Sequence, residues 1–176
     1  MEIRQAWKEY EQENGEFDRL FFSDVGDKFR KNGFLTPMGL YLILVWKLES
    51  FGSGALKSAR KAITENSEEN IRNISETAIK HLRNNNVEEA IRELCRLHGV
   101  KEVVASAVLT FYDPINYGVM DVHSFKTLEL PEDYSPLRYV SYLQELQNFK
   151  KALGDFSCHQ IDAALYMLDR KKLISH

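Results

Sequence analysis

The chain has 176 residues, of which 44% are hydrophobic, and it contains nine glycines and four prolines. This composition is typical of a single folded domain and excludes disordered and collagen-like classes. The net charge is −3, and the acidic excess lies in residues 1–30, which hold eight acidic and five basic residues. Because a strong non-specific nucleic-acid binder usually carries a basic excess, composition gives no support to that function.

The longest strongly apolar run, residues 38–46, is shorter than the roughly 20 apolar residues that a membrane-spanning helix needs. The first residues lack the apolar core of a secretory leader. The two cysteines, Cys95 and Cys158, are too few for an iron–sulfur cluster or an all-cysteine zinc site. We therefore expect no membrane partner, no metal, no cofactor and a cytoplasmic setting.

Hydrophobic spacing predicts one compact all-α domain over residues 1–176, with about eight to ten helices. The first two predicted helices, 2–14 and 16–32, are acidic and are separated at Gly15. A third covers 36–49, and after a break at 51–54 a fourth covers 55–64. The next helix follows Ser67, and another runs from Asn86 to near Gly99. The last four predicted helices are 101–112, 122–128, 135–153 and 157–172. Capping residues mark their starts: Thr36 before Pro37, Ser67, Asn86, Ser135 before Pro136, and Ser157 with Gln160. Residues 101–112 also fit a buried strand by composition, but their length and small central residues favour a helix.

The most informative stretch is a helix pair over residues 87–112, joined at Gly99 and followed by a loop that ends in Val-Met-Asp-Val-His. This stretch resembles the helix-hairpin-helix DNA glycosylase superfamily (endonuclease III-like). In that family a Leu-Pro-Gly-Val-Gly hairpin leads into a Thr-Ala-x-x-Val-Leu helix, and a Val-Asp-x-His segment follows. The resemblance covers about residues 90–126.

The resemblance implies a role for each matching residue. Gly99 and Val100 match the hairpin, and Ala105, Val108 and Leu109 match the helix after it. Asp121 stands where the family has its catalytic aspartate. Lys101 takes the place of the second hairpin glycine. The implied DNA contacts are therefore Gly99, Val100, Lys101, His123 and Lys126.

Two further differences limit the activity that the resemblance implies. The lysine that bifunctional members use for imine chemistry falls at Val103, which cannot form an imine, so no lyase activity is expected. The cysteines of the iron–sulfur subgroup are absent. The resemblance thus implies a monofunctional enzyme that hydrolyses the N-glycosidic bond of an altered base. In such an enzyme the carboxylate stabilises the charged transition state and orients water.

A glycosylase must also hold a flipped base, and the candidate pocket aromatics are Trp46, Tyr112 and Tyr117. Each candidate residue has an ordinary structural alternative. Asp121 fits a plain helix N-cap as well as a catalytic carboxylate, Trp46 fits a core position, and His123 fits a structural hydrogen bond better than a metal ligand.

Two other functions stay open at this point. One is a non-catalytic module that binds DNA, or a protein partner through the acidic N-terminal helices. The other is a small-molecule enzyme with an unrelated pocket.

Overall fold

The computed structural model describes residues 2–48 and 53–174, and within these residues every regular element is a helix. The all-α prediction is confirmed. The helices are α1 (Glu2–Phe21), α2 (Asp27–Asn32), α3 (Pro37–Leu48), α4 (Ser53–Glu65), α5 (Glu68–Arg83), α6 (Val87–Leu94), α7 (Glu102–Tyr112), α8 (Val122–Thr127), α9 (Pro136–Leu153) and α10 (Cys158–Ile174), with a π-helical segment, Phe22–Gly26, between α1 and α2. No helix in the described part is long and apolar enough to cross a membrane.

The helix starts that were predicted from capping residues agree with the structure, because the capping side chains bond as expected. Ser67, Asn86 and Ser135 each accept a backbone N–H three residues ahead. At the start of α10, Ser157 Oγ accepts the Gln160 N–H, and Gln160 Oε1 accepts the Ser157 N–H in return. These bonds satisfy N–H groups that would otherwise lack partners in the first turn.

Three predicted boundaries are wrong at described residues. The chain does not break at Gly15, which lies buried in the middle of α1. A single glycine costs a helix only about 1 kcal/mol relative to alanine, and the packing of α1 against α10 outweighs that cost. The first helix of the pair ends earlier than predicted: α6 stops at Leu94, and turns lead from there to Gly99, whose φ of 78° is left-handed. The predicted helix end at 49 and the break at 51–52 lie outside the described residues, whereas Ser53 and Gly54 already belong to α4.

The core gathers around α7, in which residues 104–111 are all buried. Helix α3 packs against α7 and α4, while α1 packs along α10, and α10 also contacts α8 and α9. The largest fully buried side chains include four aromatic rings, those of Phe111, Phe125, Tyr139 and Tyr142. The first and the last helix of the chain therefore lie side by side, and the candidate site forms between them.

Candidate functional site

A cavity of about 180 Å³ lies between α1, α3, α10 and the loop before α8. Its walls combine aromatic rings with carboxylates and one lysine. The lining residues are Tyr10, Asn14, Phe17, Asp18, Trp46, Lys47, Val119, Asp121, His159, Asp162, Ala163 and Tyr166. We call this space the aromatic cavity.

One wall of the aromatic cavity holds a carboxylate surrounded by ring donors. Asp18 Oδ2 accepts the Tyr10 hydroxyl at 2.9 Å and lies 3.2 Å from His159 Nε2. Asp18 Oδ1 accepts the indole N–H of Trp46 at 2.8 Å. Burial raises the pKa of Asp18, but the hydrogen bond and electrostatic attraction from His159, together with the hydrogen bonds from Trp46 and Tyr10, outweigh burial, so the pKa is lowered overall. Asp18 is therefore an anion at neutral pH.

The imidazole of His159 has one bonded and one unbonded nitrogen. Its side chain is 10% exposed, and its ring lies 4.5 Å from the ring of Phe22. Nδ1 is buried and has no hydrogen-bond partner among the described residues. Through Nε2 the ring therefore links α10 to Asp18 on α1.

The opposite wall carries an ion pair between α3 and the loop before α8. Lys47 Nζ lies 2.7 Å from Asp121 Oδ2, and the lysine side chain is only 10% exposed. Asp121 Oδ1 accepts the backbone N–H of His123 at 3.0 Å, so Asp121 is the N-cap of α8. The structural role expected for this carboxylate is present, and its second oxygen faces the cavity lysine.

The loop that carries Asp121 is held in place by the buried carboxylate of Asp162 on α10. Asp162 Oδ2 accepts the Val119 N–H at 2.9 Å, and Oδ1 accepts the hydroxyls of Ser124 at 2.7 Å and of Tyr142 at 2.5 Å. Ser106 Oγ accepts the Met120 N–H at 2.9 Å. Burial raises the pKa of Asp162, although these three donors oppose the rise. The backbone just before Asp121 is thus fixed by two side chains.

Of the predicted pocket aromatics, the structure brings only Trp46 into the cavity that Asp121 lines. Tyr112 instead packs against Phe29 with ring centroids 5.2 Å apart, and it lines a separate surface hollow with Arg30. Tyr117 is not among the cavity residues either, and burial raises its pKa to about 12. The structure thus places these two tyrosines apart from the cavity that Trp46 lines.

The predicted DNA contacts are spread over two regions. Gly99, Val100 and Lys101 form the connection between α6 and α7, where Val100 is buried and Lys101 is exposed. A Cβ at Gly99 would come within 2.8 Å of Ala62, so close packing on α4 as well as a positive φ requires this glycine. On α8, Lys126 is exposed, whereas His123 Nδ1 bonds to Asp169 at 2.7 Å.

Most of the polar cavity residues were missed by the sequence analysis, namely Tyr10, Asp18, Lys47, His159 and Asp162. They come from three distant parts of the chain, and none belongs to a recognisable local motif. Only Lys47 carried a signal, since it follows Trp46 at the end of an apolar helix. Among the described residues, no three His, Cys, Asp or Glu side chains are arranged to hold a metal ion.

Comparisons of the chain with protein-family models, with curated proteins and with solved structures gave no significant match.

Proposed function

We propose that the chain is a monofunctional glycosylase-like hydrolase that holds a flipped base in the aromatic cavity and uses Asp121 as its catalytic carboxylate. The observation that carries this proposal is the position of Asp121 in the wall of a cavity that also contains Trp46. A cavity of about 150 Å³ accommodates benzene, so a volume of about 180 Å³ suits one flat ring system. Such a space fits a base extruded from its stack.

In the proposed reaction the bond between the sugar C1′ and the base nitrogen breaks, and its electron pair leaves with the base. The Asp121 carboxylate stabilises the positive charge that develops on the sugar. A water oxygen then bonds to C1′, and one proton of that water ends on the departing base. Lys47 holds the carboxylate in place at 2.7 Å, and the N-cap bond to His123 fixes its other oxygen.

The proposal is tested with purified protein and a panel of short DNA duplexes that each contain one altered base. We expect mass spectrometry to detect release of one free base, and Asp121→Asn to reduce the rate about 10²- to 10³-fold. Glu132→Gln removes a carboxylate that is exposed and lies outside the cavity lining, and it serves as the matched control with an unchanged rate. Full activity of the Asp121→Asn variant would overturn the catalytic role of this residue.

A second candidate is a binding module without catalysis, and one observation favours it. Both oxygens of Asp121 are engaged, one by Lys47 and one by the His123 N–H, as in an ordinary structural N-cap. In this case we expect duplex DNA with an abasic-site analogue to bind without any base release.

A gel-shift titration at low and moderate salt separates these functions. A steep loss of affinity with salt indicates several phosphate contacts, and Lys101→Glu with Lys126→Glu should then weaken binding to every duplex. Preference for the abasic duplex favours the glycosylase, and equal affinity for intact duplex favours the module. If no duplex binds even at low salt, both DNA-related functions fail and a protein partner becomes the working hypothesis.

A further inference from the structure

We propose that one exposed face of α4 contacts the phosphate backbone of the duplex on which the proposed function acts. Lys57, Arg60 and Lys61 form this face, and we call it the basic face. The inference rests on the proposed function and deepens it, because it assigns a surface that holds the duplex while a base occupies the aromatic cavity. It depends on the charge of α4, the orientation of its basic residues and its neighbours in the fold.

The charge of α4 differs from that of the chain as a whole. The chain has a net charge of −3, whereas the stretch of α4 from Ser53 to Thr64 carries three basic residues and no acidic one. Lys57 and Lys61 stand four positions apart, and like charges at that spacing repel each other on a helix. An anion that lies against the basic face relieves this repulsion.

The cations of the basic face have little compensation within the protein. Lys57 and Arg60 form no ion pair with any described residue. Lys61 Nζ lies 3.5 Å from Glu65, but both side chains are exposed, so solvent screens their attraction. The positive charge of this face is therefore available to a partner outside the chain.

Helix geometry turns the three basic side chains to the same side. Ala59 and Ala62 are fully buried and form the packed side of α4, which rests on α3. Lys57, Arg60 and Lys61 are three or four positions apart, so they share the opposite side, and all three are exposed. The basic face is thus a row of cations along one helix.

Helix α4 adjoins both regions that the proposed function needs. It packs against α3, whose last turns carry Trp46 and Lys47 of the aromatic cavity. At Ala62 it meets Gly99, where an added Cβ would come within 2.8 Å, so the connection that carries Lys101 lies beside α4. Lys101 is exposed, and its side chain caps no N–H of α7. The basic face therefore lies on a helix next to both the predicted DNA contacts and a wall of the cavity.

A phosphate backbone is the partner that fits these features. It presents one negative charge per nucleotide in a continuous row, so cations along one helix can each neutralise a phosphate. Arg60 adds a planar guanidinium, a group that binds two phosphate oxygens at once. Contacts of this kind position a duplex without reading its bases.

The test measures how salt weakens binding to a short duplex that carries an abasic-site analogue. The basic-face variant combines Lys57→Gln, Arg60→Gln and Lys61→Gln. Each lost phosphate contact should reduce the slope of log K against log salt by about 0.9, so we expect a reduction of about 2 to 3 in this variant.

A second triple variant controls for the change in total charge. It also removes three exposed cations, but at the end of α5 and in α9, by Lys80→Gln, Arg83→Gln and Lys151→Gln. These residues form no ion pair with a described residue, and the slope of the control should stay close to that of the wild type. Equal slopes for the two triple variants would overturn the inference.

A readout on the wild-type chain stands even where the basic-face variant fails to fold. Lysines are acetylated with and without the duplex, and mass spectrometry measures the modification of each one. The duplex should protect Lys57 and Lys61 and leave Lys80 and Lys151 reactive. Protection of Lys80 or Lys151 in place of Lys57 and Lys61 would contradict the inference.

Failure of the inference can be told apart from failure of the proposed function. A reduced slope in the basic-face variant, without base release from any duplex, removes the glycosylase and keeps the basic face. Base release with equal slopes for the two triple variants removes only the inference. If no duplex binds even at low salt, the inference fails with both DNA-related functions, and an acidic protein becomes the partner that fits this face.

Discussion

Two buried aspartates, Asp18 and Asp162, show opposite pKa shifts although each accepts three hydrogen bonds. The difference follows from the balance of two opposing contributions. Desolvation is the largest contribution to the pKa of both carboxyls, and at Asp162 it outweighs the three donors. At Asp18 the hydrogen bond and electrostatic attraction from His159, together with the Trp46 and Tyr10 donors, outweigh desolvation. We therefore assign Asp162 to the support of the loop before α8 and Asp18 to the junction of α1 with α10.

Asp162→Ala should destabilise the fold by about 3 kcal/mol or more. The change leaves the Val119 N–H and the hydroxyls of Ser124 and Tyr142 without their acceptor, and each unsatisfied buried donor costs about 1–3 kcal/mol. Urea unfolding measures the effect. Glu132→Ala, at an exposed position, is the control and should change stability little. If both variants unfold at the wild-type urea concentration, Asp162 does not hold the loop.

Asp18→Asn should lose stability in a pH-dependent way. Because folding lowers the pKa of Asp18, its carboxylate adds stability above the ordinary value of 3.8, and this contribution is lost as pH falls through the lower folded value. The difference in unfolding free energy between wild type and Asp18→Asn should thus be largest near pH 7 and shrink below about pH 4. Urea titrations at several pH values measure it, and a difference that stays constant with pH would speak against the ionised carboxylate.

Among the individual residues of the aromatic cavity, the sequence identified only a part. Asp121 was selected for its Asp-x-His spacing and Trp46 as a pocket candidate, and both line one cavity. Asp18 and His159 lie 141 positions apart in the chain and meet only because α1 packs on α10. No spacing rule can pair such residues, since their contact depends on tertiary packing.

At the scale of elements, the π-helical segment Phe22–Gly26 shapes the wall next to His159. Phe22, the first residue of this segment, lies between two rings, with centroids 4.1 Å from Phe111 and 4.5 Å from His159. Gly26 permits the approach to α7, because a Cβ there would lie 2.8 Å from the carbonyl oxygen of Phe111. Such π-helical segments often occur at functional sites.

Gly26→Ala should destabilise the chain by about 1–3 kcal/mol, because the added methyl group meets a backbone oxygen that cannot move without shifting α7. The matched control is Gly54→Ala in α4, where nothing lies within 4 Å of the added Cβ. That change should be neutral or stabilising by up to about 1 kcal/mol. Thermal unfolding followed by circular dichroism compares the two variants. A Gly26→Ala variant as stable as Gly54→Ala would mean that the close approach imposes no strain.

Helix starts were predictable from the sequence, whereas interruptions were not. The side chains of Ser67 and Ser135 each accept a backbone N–H within the same turn, so local hydrogen bonding determines where those helices begin. Gly15 suggested a break, yet α1 continues through it, and the irregularity appears at 22–26 instead. This segment packs on α7, and Arg30 just after it donates to the Phe111 carbonyl 81 positions away in the chain, a contact that no local pattern predicts.

At the scale of the whole molecule, the two ends of the chain build the candidate site together. Arg4 on α1 bonds to Asp155, just before α10, with its Nη1 and Nη2 both within 3.0 Å of the carboxylate oxygens. Farther along the same pair of helices, Tyr10 packs edge-on against Tyr166 at 6.4 Å. The acidic N-terminal helix, considered above as a surface for a protein partner, thus uses one face to pack on α10 and close the aromatic cavity.

If the cavity and the junction of α1 with α10 belong to one cooperative unit, they should unfold together. Trp7, stacked on Tyr10 at 5.7 Å, reports on α1, and Trp46 reports on the cavity. In Trp46→Phe only Trp7 fluoresces, and in Trp7→Phe only Trp46 does. Within each variant, the urea transition followed by fluorescence should coincide with the one followed by far-ultraviolet circular dichroism. An earlier fluorescence transition in Trp46→Phe would show that α1 leaves α10 before the rest unfolds. The aromatic cavity would then open by local unfolding at its terminal helices.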